Sequence, residues 1–259
     1  MCGRFSTNTS LGSLLTLLGV DGAAVPLSEL IAARDDVRPS QPIAVVANRV
    51  TDAAHPRHVE LFTWGLVPFW SRGRADAPRP INLRAETLLE RRSFRSLLVR
   101  QRALVPAAGF YEWKKPESAA KRAKKTPYFL HRADGQPMAL AAVWETQTDP
   151  DTGARTQTCA LITTEPSAEV RQVHDRMPVL LEPAHFERWL TANDVEPEAL
   201  RALLRPAPDG TLALERLAAS PGQAAQVAQA AQPAAPATQL GLFDTQTFTS
   251  RKGSRYSRP

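Results

Sequence analysis

Apolar and polar positions along most of the chain switch between two periodicities. Leucines recur at helical spacing between Ser10 and Val20, and Gly19 marks the end of that helix. Similar spacing predicts helices over 85–99, 167–173, 184–190 and 197–204. Apolar runs predict strands over 43–47, 59–67, 103–113, 128–132, 138–144, 156–163 and 179–181. Because strands are numerous and no regular β-α-β alternation occurs, the pattern favours an α+β fold with a mostly antiparallel, curved sheet.

Proline and glycine positions divide these elements. Arg38-Pro39-Ser40-Gln41-Pro42 reads as a loop, because two prolines in five residues oppose regular structure. Asp134-Gly135 lies between two predicted strands, which is a typical hairpin signal. We therefore expect the strands over 128–132 and 138–144 to pair with each other.

The composition changes near Pro221, where alanine, glutamine and proline begin to dominate. Such a segment has too few large apolar residues to build a core, so we expect a disordered tail. The sequence thus predicts one folded domain over residues 1–220 and a tail over 221–259.

Charge and cysteine usage exclude several classes of protein. The net charge of +6 permits a nucleic-acid partner, although a solvated basic surface explains it equally well. No apolar run approaches the ~20 residues of a membrane helix, and no secretory signal is evident. Two cysteines, Cys2 and Cys159, indicate neither a disulfide framework nor a zinc finger. We expect a cytoplasmic monomer without a cofactor.

Cys2 directly follows the initiator methionine. Removal of Met1 would leave a terminal residue with an α-amine of pKa about 7.7–8.0 and a neighbouring thiol. An aldehyde can form an imine with the amine and then close through sulfur into a thiazolidine ring. An inert cysteine remains the simpler interpretation of Cys2 taken alone.

Four polar residues stand in otherwise apolar or structured contexts: Asn82, Glu112, Thr163 and His174. Glu112 lies between two aromatic residues, where a raised pKa would suit proton transfer, and His174 titrates near neutrality. Asn82 can orient an amine or an oxygen. Each also has a structural alternative: Asn82 as a helix cap, Glu112 on an exposed edge strand, and His174 as a core histidine.

Six motifs occur in this order: Met-Cys-Gly-Arg-Phe, Trp-Gly-Leu-Val-Pro-Phe-Trp, Ile-Asn-Leu-Arg-Ala-Glu-Thr, Leu-Val-Pro-Ala-Ala-Gly-Phe-Tyr-Glu-Trp, Leu-Ile-Thr-Thr-Glu-Pro and His-Asp-Arg-Met-Pro. Together they resemble the SOS response-associated peptidase family, known as the SRAP domain, over roughly residues 2–205. The resemblance implies a single domain with a curved, mostly antiparallel sheet or barrel flanked by helices. It also implies a protein that recognises abasic sites in single-stranded DNA and forms a thiazolidine DNA–protein crosslink.

The same resemblance assigns roles residue by residue. Cys2 would be the nucleophile, exposed by removal of Met1. Asn82 would position the reacting sugar and the amine, and Glu112 would transfer protons. His174 would assist opening of the sugar ring and release of the crosslink. Thr163 would supply a supporting hydrogen bond.

Contacts to DNA follow from positions near these candidates. Arg4, Arg84 and Arg176 lie one or two residues from a candidate catalytic side chain, where flanking phosphates must pass. Trp70 and Pro39 are candidates for stacking on neighbouring bases, with core packing as the alternative for both. Additional basic side chains provide either nonspecific attraction or a solvated surface: Arg72, Arg74, Arg79, Lys114 and Lys115.

The tail contains one compact apolar cluster, Gln239-Leu240-Gly241-Leu242-Phe243. It resembles the pentapeptide with which bacterial proteins bind the replicative sliding clamp, so Gln239, Leu240, Leu242 and Phe243 are candidate clamp contacts. Chance apolar residues in a tail are the alternative.

Two other classes of function compete with the crosslinker. A thiol peptidase would use Cys2 as a thiolate and would need no α-amine. A noncovalent single-strand binder would use only the basic surface and would not depend on Cys2. The crosslinker alone explains why the candidate nucleophile lies at the start of the chain.

Overall fold

A computed structural model describes residues 2–20, 33–47, 58–71, 74, 77–116, 124–149, 152–191 and 196–221. The predicted tail motif at 239–243 and Arg72 lie outside the described residues. No described helix is both long and apolar enough to span a bilayer.

Twelve strands are present in the described part of the chain. They are β1 (Phe5–Ser6), β2 (Pro42–Ala47), β3 (His58–Trp64), β4 (Asn82–Arg84), β5 (Arg102–Ala107), β6 (Gly109–Lys114), β7 (Thr126–Arg132), β8 (Met138–Thr148), β9 (Arg155–Thr164), β10 (Met177–Pro178), β11 (Leu180–Leu181) and β12 (Leu212–Arg216). The α-helices of this part are α1 (Leu11–Leu18), α2 (Arg92–Arg100), α3 (Ala168–Arg171), α4 (Phe186–Leu190) and α5 (Pro197–Arg201). Short 3₁₀ helices cover Phe69–Ser71, Ala85–Thr87 and Pro183–His185.

Five strands close into a barrel. The order is β9-β3-β2-β5-β8, and β8 pairs again with β9. All of these pairs are antiparallel except β3 with β9, and β4 adds a second parallel partner to β9. A separate antiparallel sheet has the order β1-β6-β7-β12. This architecture confirms the predicted α+β fold with a mostly antiparallel, curved sheet.

The barrel is buried on both faces, which explains its unbroken apolar runs. In β2, Ile43 and Val45 face a hydrophobic cluster shared with the four-stranded sheet, whereas Ala44 and Val46 face a cluster shared with the helices. Successive side chains of a strand point to opposite faces, so each strand contributes to both clusters. The barrel therefore supports the helices on one side and the four-stranded sheet on the other.

The first helix behaves as its sequence predicts. Ser10 caps α1, because its hydroxyl accepts a hydrogen bond from the Ser13 amide at 3.0 Å. Leu14 and Leu18 enter the core. The helix ends at Gly19, whose φ of 61° is a left-handed conformation that glycine adopts readily.

The hairpin predicted at Asp134-Gly135 is wrong. Gly135 does form a turn with φ of 71°, and its amide donates to the Arg132 carbonyl. However, β7 pairs with β6 and β12, whereas β8 lies between β5 and β9 in the barrel. The turn therefore transfers the chain from one sheet to the other instead of joining neighbouring strands.

The helix predicted over 85–99 is divided. A 3₁₀ turn at Ala85–Thr87 precedes α2, and the intervening residues are not helical. Within this first turn Ala85 is buried while Glu86 is exposed enough to meet Arg176. Glu86 therefore forms a tertiary ion pair with Arg176, a residue far along the chain.

Candidate functional site

The start of the chain is held against β6, the strand that carries Glu112. Phe5 of β1 pairs with Phe110, and the Tyr111 amide donates to the Arg4 carbonyl at 2.9 Å. Cys2 is completely buried, and its thiol faces the Arg4 carbonyl at 3.9 Å. The pairing of β1 with β6 therefore fixes Cys2 close to the side chains of β6.

Asn82 binds the backbone of Cys2 directly. It begins β4, which runs parallel to the end of β9. Its Nδ2 donates a hydrogen bond to the Cys2 carbonyl at 2.7 Å. Its Oδ1 is buried and accepts no hydrogen bond from any described residue. A buried amide oxygen of this kind is an available acceptor for a group that enters the site.

Glu112 is a buried carboxyl group, with 3% of its surface exposed. Burial raises its pKa to about 7, because a carboxylate loses hydration there. The charge of the chain's α-amino group and the Trp113 amide oppose this effect, while Asp175 adds to it. Glu112 can therefore donate or accept a proton near neutral pH.

His174 follows α3 and faces Glu112. Its Nε2 lies 3.8 Å from Oε2 of Glu112. Its Nδ1 accepts a hydrogen bond from the Arg176 amide at 3.0 Å and lies 2.9 Å from the exposed Asp175 carboxylate. Burial lowers the pKa of His174. The Arg176 amide favours a proton on Nε2, directed toward Glu112, whereas the Asp175 carboxylate favours a proton on Nδ1.

Arg176 is buried and belongs to the wall of the site. Its guanidinium pairs with both carboxylate oxygens of Glu86, at 2.7 and 2.9 Å. The same group donates to the Thr163 carbonyl at 2.7 Å and lies 3.4 Å from the Thr163 hydroxyl. Thr163 in turn donates to the Leu83 carbonyl at 3.4 Å. These contacts join β9, β4 and the loop after His174 into one polar support.

The thiol of Cys2 is not prepared as a thiolate. Burial raises its pKa, and the Glu112 carboxylate adds to the effect. A protonated thiol is a poor first nucleophile at neutral pH. This arrangement instead suits chemistry in which another group attacks first and the sulfur follows.

The five candidate DNA contacts occupy different environments. Arg4 is paired with Asp36, and its guanidinium lies 5.5 Å from the ring centre of Trp113. Arg84 is exposed at 63% of its side chain, and Trp70 is 50% exposed. Pro39 is half-buried. Arg176, in contrast, directs its guanidinium into the protein, so its assignment as a phosphate contact stays a prediction.

The exposed Trp70 projects from a turn that the barrel holds firmly. Val67 donates its amide to the Thr158 hydroxyl at 2.9 Å and accepts from Gln147 at 3.2 Å. Glu145 is buried, and the backbone amide of Phe69 stabilises its carboxylate. Phe69 and Trp70 remain 60% and 50% exposed. Two aromatic rings thus project into solvent from a fixed backbone, which is how stacking platforms are built.

A cleft of about 550 Å³ opens beside Glu112 and His174. Four cations also line it: Lys114, Lys115, Lys125 and Arg171. The cleft can therefore admit an anionic chain to the buried carboxyl and imidazole groups. No described cluster of His, Cys, Asp and Glu has the three members that a metal ion would require.

Sequence reasoning identified the groups around Cys2 but missed the residues that support them. Asp36 and Lys125 stand in none of the six motifs, and Glu86 stands in one that gives no sign of its ion pair with Arg176. Trp113 follows Glu112 in one of the six motifs and precedes two lysines. This aromatic residue beside basic side chains could have been recognised from the sequence as part of the site.

Comparison with known proteins identifies the family. Residues 1–221 match the family described as SOS response associated peptidase (SRAP). The chain therefore belongs to the SRAP family, as its motifs predicted.

Similar proteins carry related names. The chain is 34% identical to the abasic site processing protein YoqW of Bacillus subtilis over 206 residues, covering 80% of this chain and 87% of the relative. It is 31% identical to the abasic site processing protein YedK of Escherichia coli, covering 73% and 79% of the two chains. A crystal structure of a protein from Bacteroides thetaiotaomicron has the same fold, with a TM-score of 0.71, 24% identity and coverage of 85% and 96%.

Proposed function

We propose that this protein captures abasic sites in single-stranded DNA as a covalent thiazolidine adduct on Cys2. The observation that carries the proposal is the convergence of three side chains near the start of the chain. Asn82 holds the Cys2 carbonyl at 2.7 Å, and Glu112 faces His174 at 3.8 Å. The names of relatives such as YoqW and YedK, which are abasic site processing proteins, support an abasic site as the substrate.

The chemistry begins after Met1 is removed, which frees the α-amine of Cys2. His174 assists opening of the abasic sugar, and the amine attacks the carbonyl carbon of the resulting aldehyde. Glu112 donates a proton to the hydroxyl group that leaves as water, and an imine forms. The thiol sulfur then adds to the imine carbon while its proton passes to the nitrogen. One water is released and the five-membered ring closes.

This order of steps agrees with the properties of the two candidate nucleophiles. Burial and Glu112 raise the pKa of the thiol, so it is protonated at neutral pH. An unperturbed α-amine has a pKa of about 7.7–8.0 and is partly unprotonated there. The amine therefore attacks first, and the thiol enters as the ring closes. Asn82 would hold Cys2 in place through its hydrogen bond to the Cys2 carbonyl. Thr163 would support β4, which carries Asn82, through its hydrogen bond to the Leu83 carbonyl.

The DNA strand would cross the site between the exposed groups. Arg84 and Arg4 lie where flanking phosphates would pass, and Trp70 presents an exposed ring to a neighbouring base. Pro39 would complete the stacking surface. Arg176 would support the site through its guanidinium contacts with Glu86 and Thr163, in addition to the phosphate contact predicted from the sequence.

Intact mass spectrometry tests the proposal directly. The purified chain should lack the mass of one methionine residue. After incubation with an abasic oligonucleotide it should gain the mass of the oligonucleotide minus one water. A chain that retains Met1 and forms no adduct would contradict the mechanism.

A thiol peptidase is the second candidate, including one that removes its own Met1. The description of the family as a peptidase favours it, and buried Glu112 could transfer protons in peptide hydrolysis as well. Reductive methylation of the α-amine separates the two. It should abolish the adduct with abasic DNA but spare hydrolysis of a peptide by the thiol.

The tail would link this activity to replication. Gln239, Leu240, Leu242 and Phe243 would bind the bacterial sliding clamp and raise the local concentration of the domain near replicating DNA. A Leu242→Ala/Phe243→Ala variant should fail to recover the clamp in a pull-down, while unchanged recovery would reject this contact. We expect the protein to act as a cytoplasmic monomer that associates with the nucleoid when bound to DNA.

A further inference from the structure

The register of the four-stranded sheet aligns Glu112 with a distant arginine. Glu112 pairs with Tyr128 of β7, and Tyr128 pairs with Arg216 of β12. Directly paired residues of neighbouring strands lie on the same face of a sheet. Strands are about 4.8 Å apart, so the Arg216 backbone lies about 10 Å from that of Glu112. Glu112, Tyr128 and Arg216 therefore form a row across one face of the sheet, from the candidate site to the edge strand β12.

A second cleft continues from the first along this edge. It has a volume of about 740 Å³, and its lining includes Trp113, Lys124, Lys125, Arg216 and Ser220. Trp113 and Lys125 also line the cleft beside Glu112 and His174, so the two clefts lie side by side. We call the two together the basic groove.

The charge of the second cleft is of one sign. Its lining holds three cations and no carboxylate. Lys124, Lys125 and Arg216 are exposed, and no described carboxylate forms an ion pair with any of them. Unneutralised cations along a groove create a local positive potential that attracts an anionic chain.

Trp113 lies at the junction of the two clefts. Its indole N–H donates to the Ser220 hydroxyl at 3.2 Å, and the Arg4 guanidinium covers its ring at 5.5 Å. These contacts hold an aromatic ring in place between basic side chains. Aromatic rings alternating with cations are typical of surfaces that bind single-stranded nucleic acid.

We infer that the basic groove binds the phosphate backbone of the DNA strand on one side of the lesion, with Lys124 and Arg216 as phosphate contacts. The inference rests on the proposed function, because it takes single-stranded DNA as the occupant. It adds a direction: the strand on one side of the abasic site follows the groove toward β12. The strand on the other side passes the exposed Arg84 and Trp70.

Binding of one-sided oligonucleotides tests this direction. Each oligonucleotide carries a tetrahydrofuran residue, which mimics an abasic site but has no aldehyde, at either its 5′ or its 3′ end. The Lys124→Ala/Arg216→Ala variant should bind one of the two roughly tenfold more weakly and the other as the unmodified protein does. For the affected oligonucleotide, the slope of log K against log salt should fall by about 0.7 for each lost contact.

A matched control removes the same charge elsewhere. Arg95→Ala/Arg188→Ala deletes two exposed arginines from α2 and α4, which pack on the other hydrophobic cluster, and should leave both oligonucleotides unaffected. Lys124→Arg/Arg216→Lys should restore binding, because it keeps both charges. Equal weakening of both oligonucleotides would indicate nonspecific attraction and overturn the inference. Unchanged binding of both would also overturn it.

The result is separable from that of the proposed function. The tetrahydrofuran residue cannot form an imine, so these measurements do not depend on the chemistry of Cys2. If the unmodified protein forms no adduct with true abasic DNA, the crosslinking mechanism fails. If the adduct forms but the two oligonucleotides respond alike, the inference about the basic groove is overturned and the crosslinking mechanism stands.

Discussion

Cys2 and Cys159 lie in the same hydrophobic cluster, and both are completely buried. Burial raises the pKa of both thiols. Their neighbours differ. Cys159 is in the middle of β9, paired with Trp144 and Trp64 of the barrel. Cys2 lies before β1, with Asn82 on its carbonyl and Glu112 acting on its thiol.

Neither burial nor thiol pKa distinguishes Cys2, the proposed nucleophile, from Cys159. What differs is the set of groups that can orient the residue and move protons beside it. Around Cys159 burial is the only cause of the raised thiol pKa, whereas the Glu112 carboxylate also raises the pKa of the Cys2 thiol. Reactivity of Cys2 should therefore come from its terminal amine and its polar neighbours.

The largest effect is expected when each cysteine is replaced by alanine in a separate variant. Cys2→Ala removes the sulfur that closes the ring, so the stable adduct with an abasic oligonucleotide should become undetectable. Cys159→Ala changes only barrel packing and should leave the yield of adduct within about twofold. Denaturing gel electrophoresis of the crosslinked product measures both.

A cavity at Cys159 would lower stability, so adduct yield is compared at a temperature where circular dichroism shows both variants to be folded. If Cys159→Ala abolished the adduct in folded protein, or Cys2→Ala retained it after denaturation, the assignment of Cys2 as the cysteine that closes the ring would be wrong. An adduct that forms with Cys2→Ala but is lost on heating would identify an imine without ring closure, as the proposed sequence of steps predicts.

Glu112→Gln is expected to slow adduct formation about 100-fold, which is within the usual contribution of a general acid or base. The pH profile gives the sharper readout. The active form needs an unprotonated amine and a protonated Glu112, whose pKa burial raises to about 7. The rate should therefore rise with pH, reach a maximum and fall again on the alkaline side.

In Glu112→Gln the alkaline fall should disappear, because glutamine does not titrate, and the rate should rise to a plateau. Single-turnover rates between about pH 6 and pH 9 measure both profiles. A fall of equal size in the variant would show that another group supplies the proton. His174→Gln is the informative companion, because its loss should slow opening of the sugar without removing the alkaline limb.

The sequence could predict the chemistry at the start of the chain better than it could predict the scaffold. Cys2, Asn82 and Glu112 stand in short motifs, and the structure brings these three together. Strand positions also followed from apolar runs, because a barrel buried on both faces needs apolar side chains at nearly every position. Local patterns are sufficient for features of this kind.

Other features depend on contacts between distant parts of the chain. Arg176 lies 90 residues from Glu86, and no spacing rule connects them. Arg102 is buried and donates to backbone carbonyls of Leu98 and Trp189, which ties the ends of α2 and α4 together. The turn at Asp134-Gly135 has hairpin chemistry, but the choice of strand partners is made by the closing of the barrel. Such long-range choices leave little trace in a single sequence.

The buried carboxyl group of Glu112 should make the free energy of unfolding depend on pH. The folded state holds Glu112 with a pKa of about 7, above the value of about 4.3 in an unfolded chain. Stability from this group is therefore present at low pH and is lost as pH rises toward and through 7. Glu112→Gln avoids the buried charge, so it should be more stable than the unmodified protein by up to about 4 kcal/mol above pH 7.

The difference should shrink as pH falls toward 4, where the carboxyl group is neutral in both states. Urea denaturation at several pH values measures it. Asp209→Asn is a suitable control, because this carboxyl accepts a hydrogen bond from the Ala168 amide in an exposed setting. A constant difference for Glu112→Gln across the pH range would mean that packing, and not the buried charge, controls stability at this position.

The smallest effects are expected from substitutions of Arg84 and Arg176, which should differ in their influence on stability. Arg84→Ala removes an exposed cation, so it should lower the slope of log K against log salt for single-stranded DNA by about 0.7 and leave stability unchanged. Arg176→Gln removes both the charge and the paired contact with Glu86, so it should cost about 2 kcal/mol of stability and lower the same slope by about 0.7. Arg176 contacts Thr163, which directly follows Ile162, the last apolar residue of β9. Its behaviour therefore tests where the apolar surroundings of Cys159 end and the candidate site begins. If Arg176→Gln left the salt slope unchanged, the Arg176 guanidinium would stay on Glu86 when DNA binds, and the phosphate contact predicted from the sequence would be wrong.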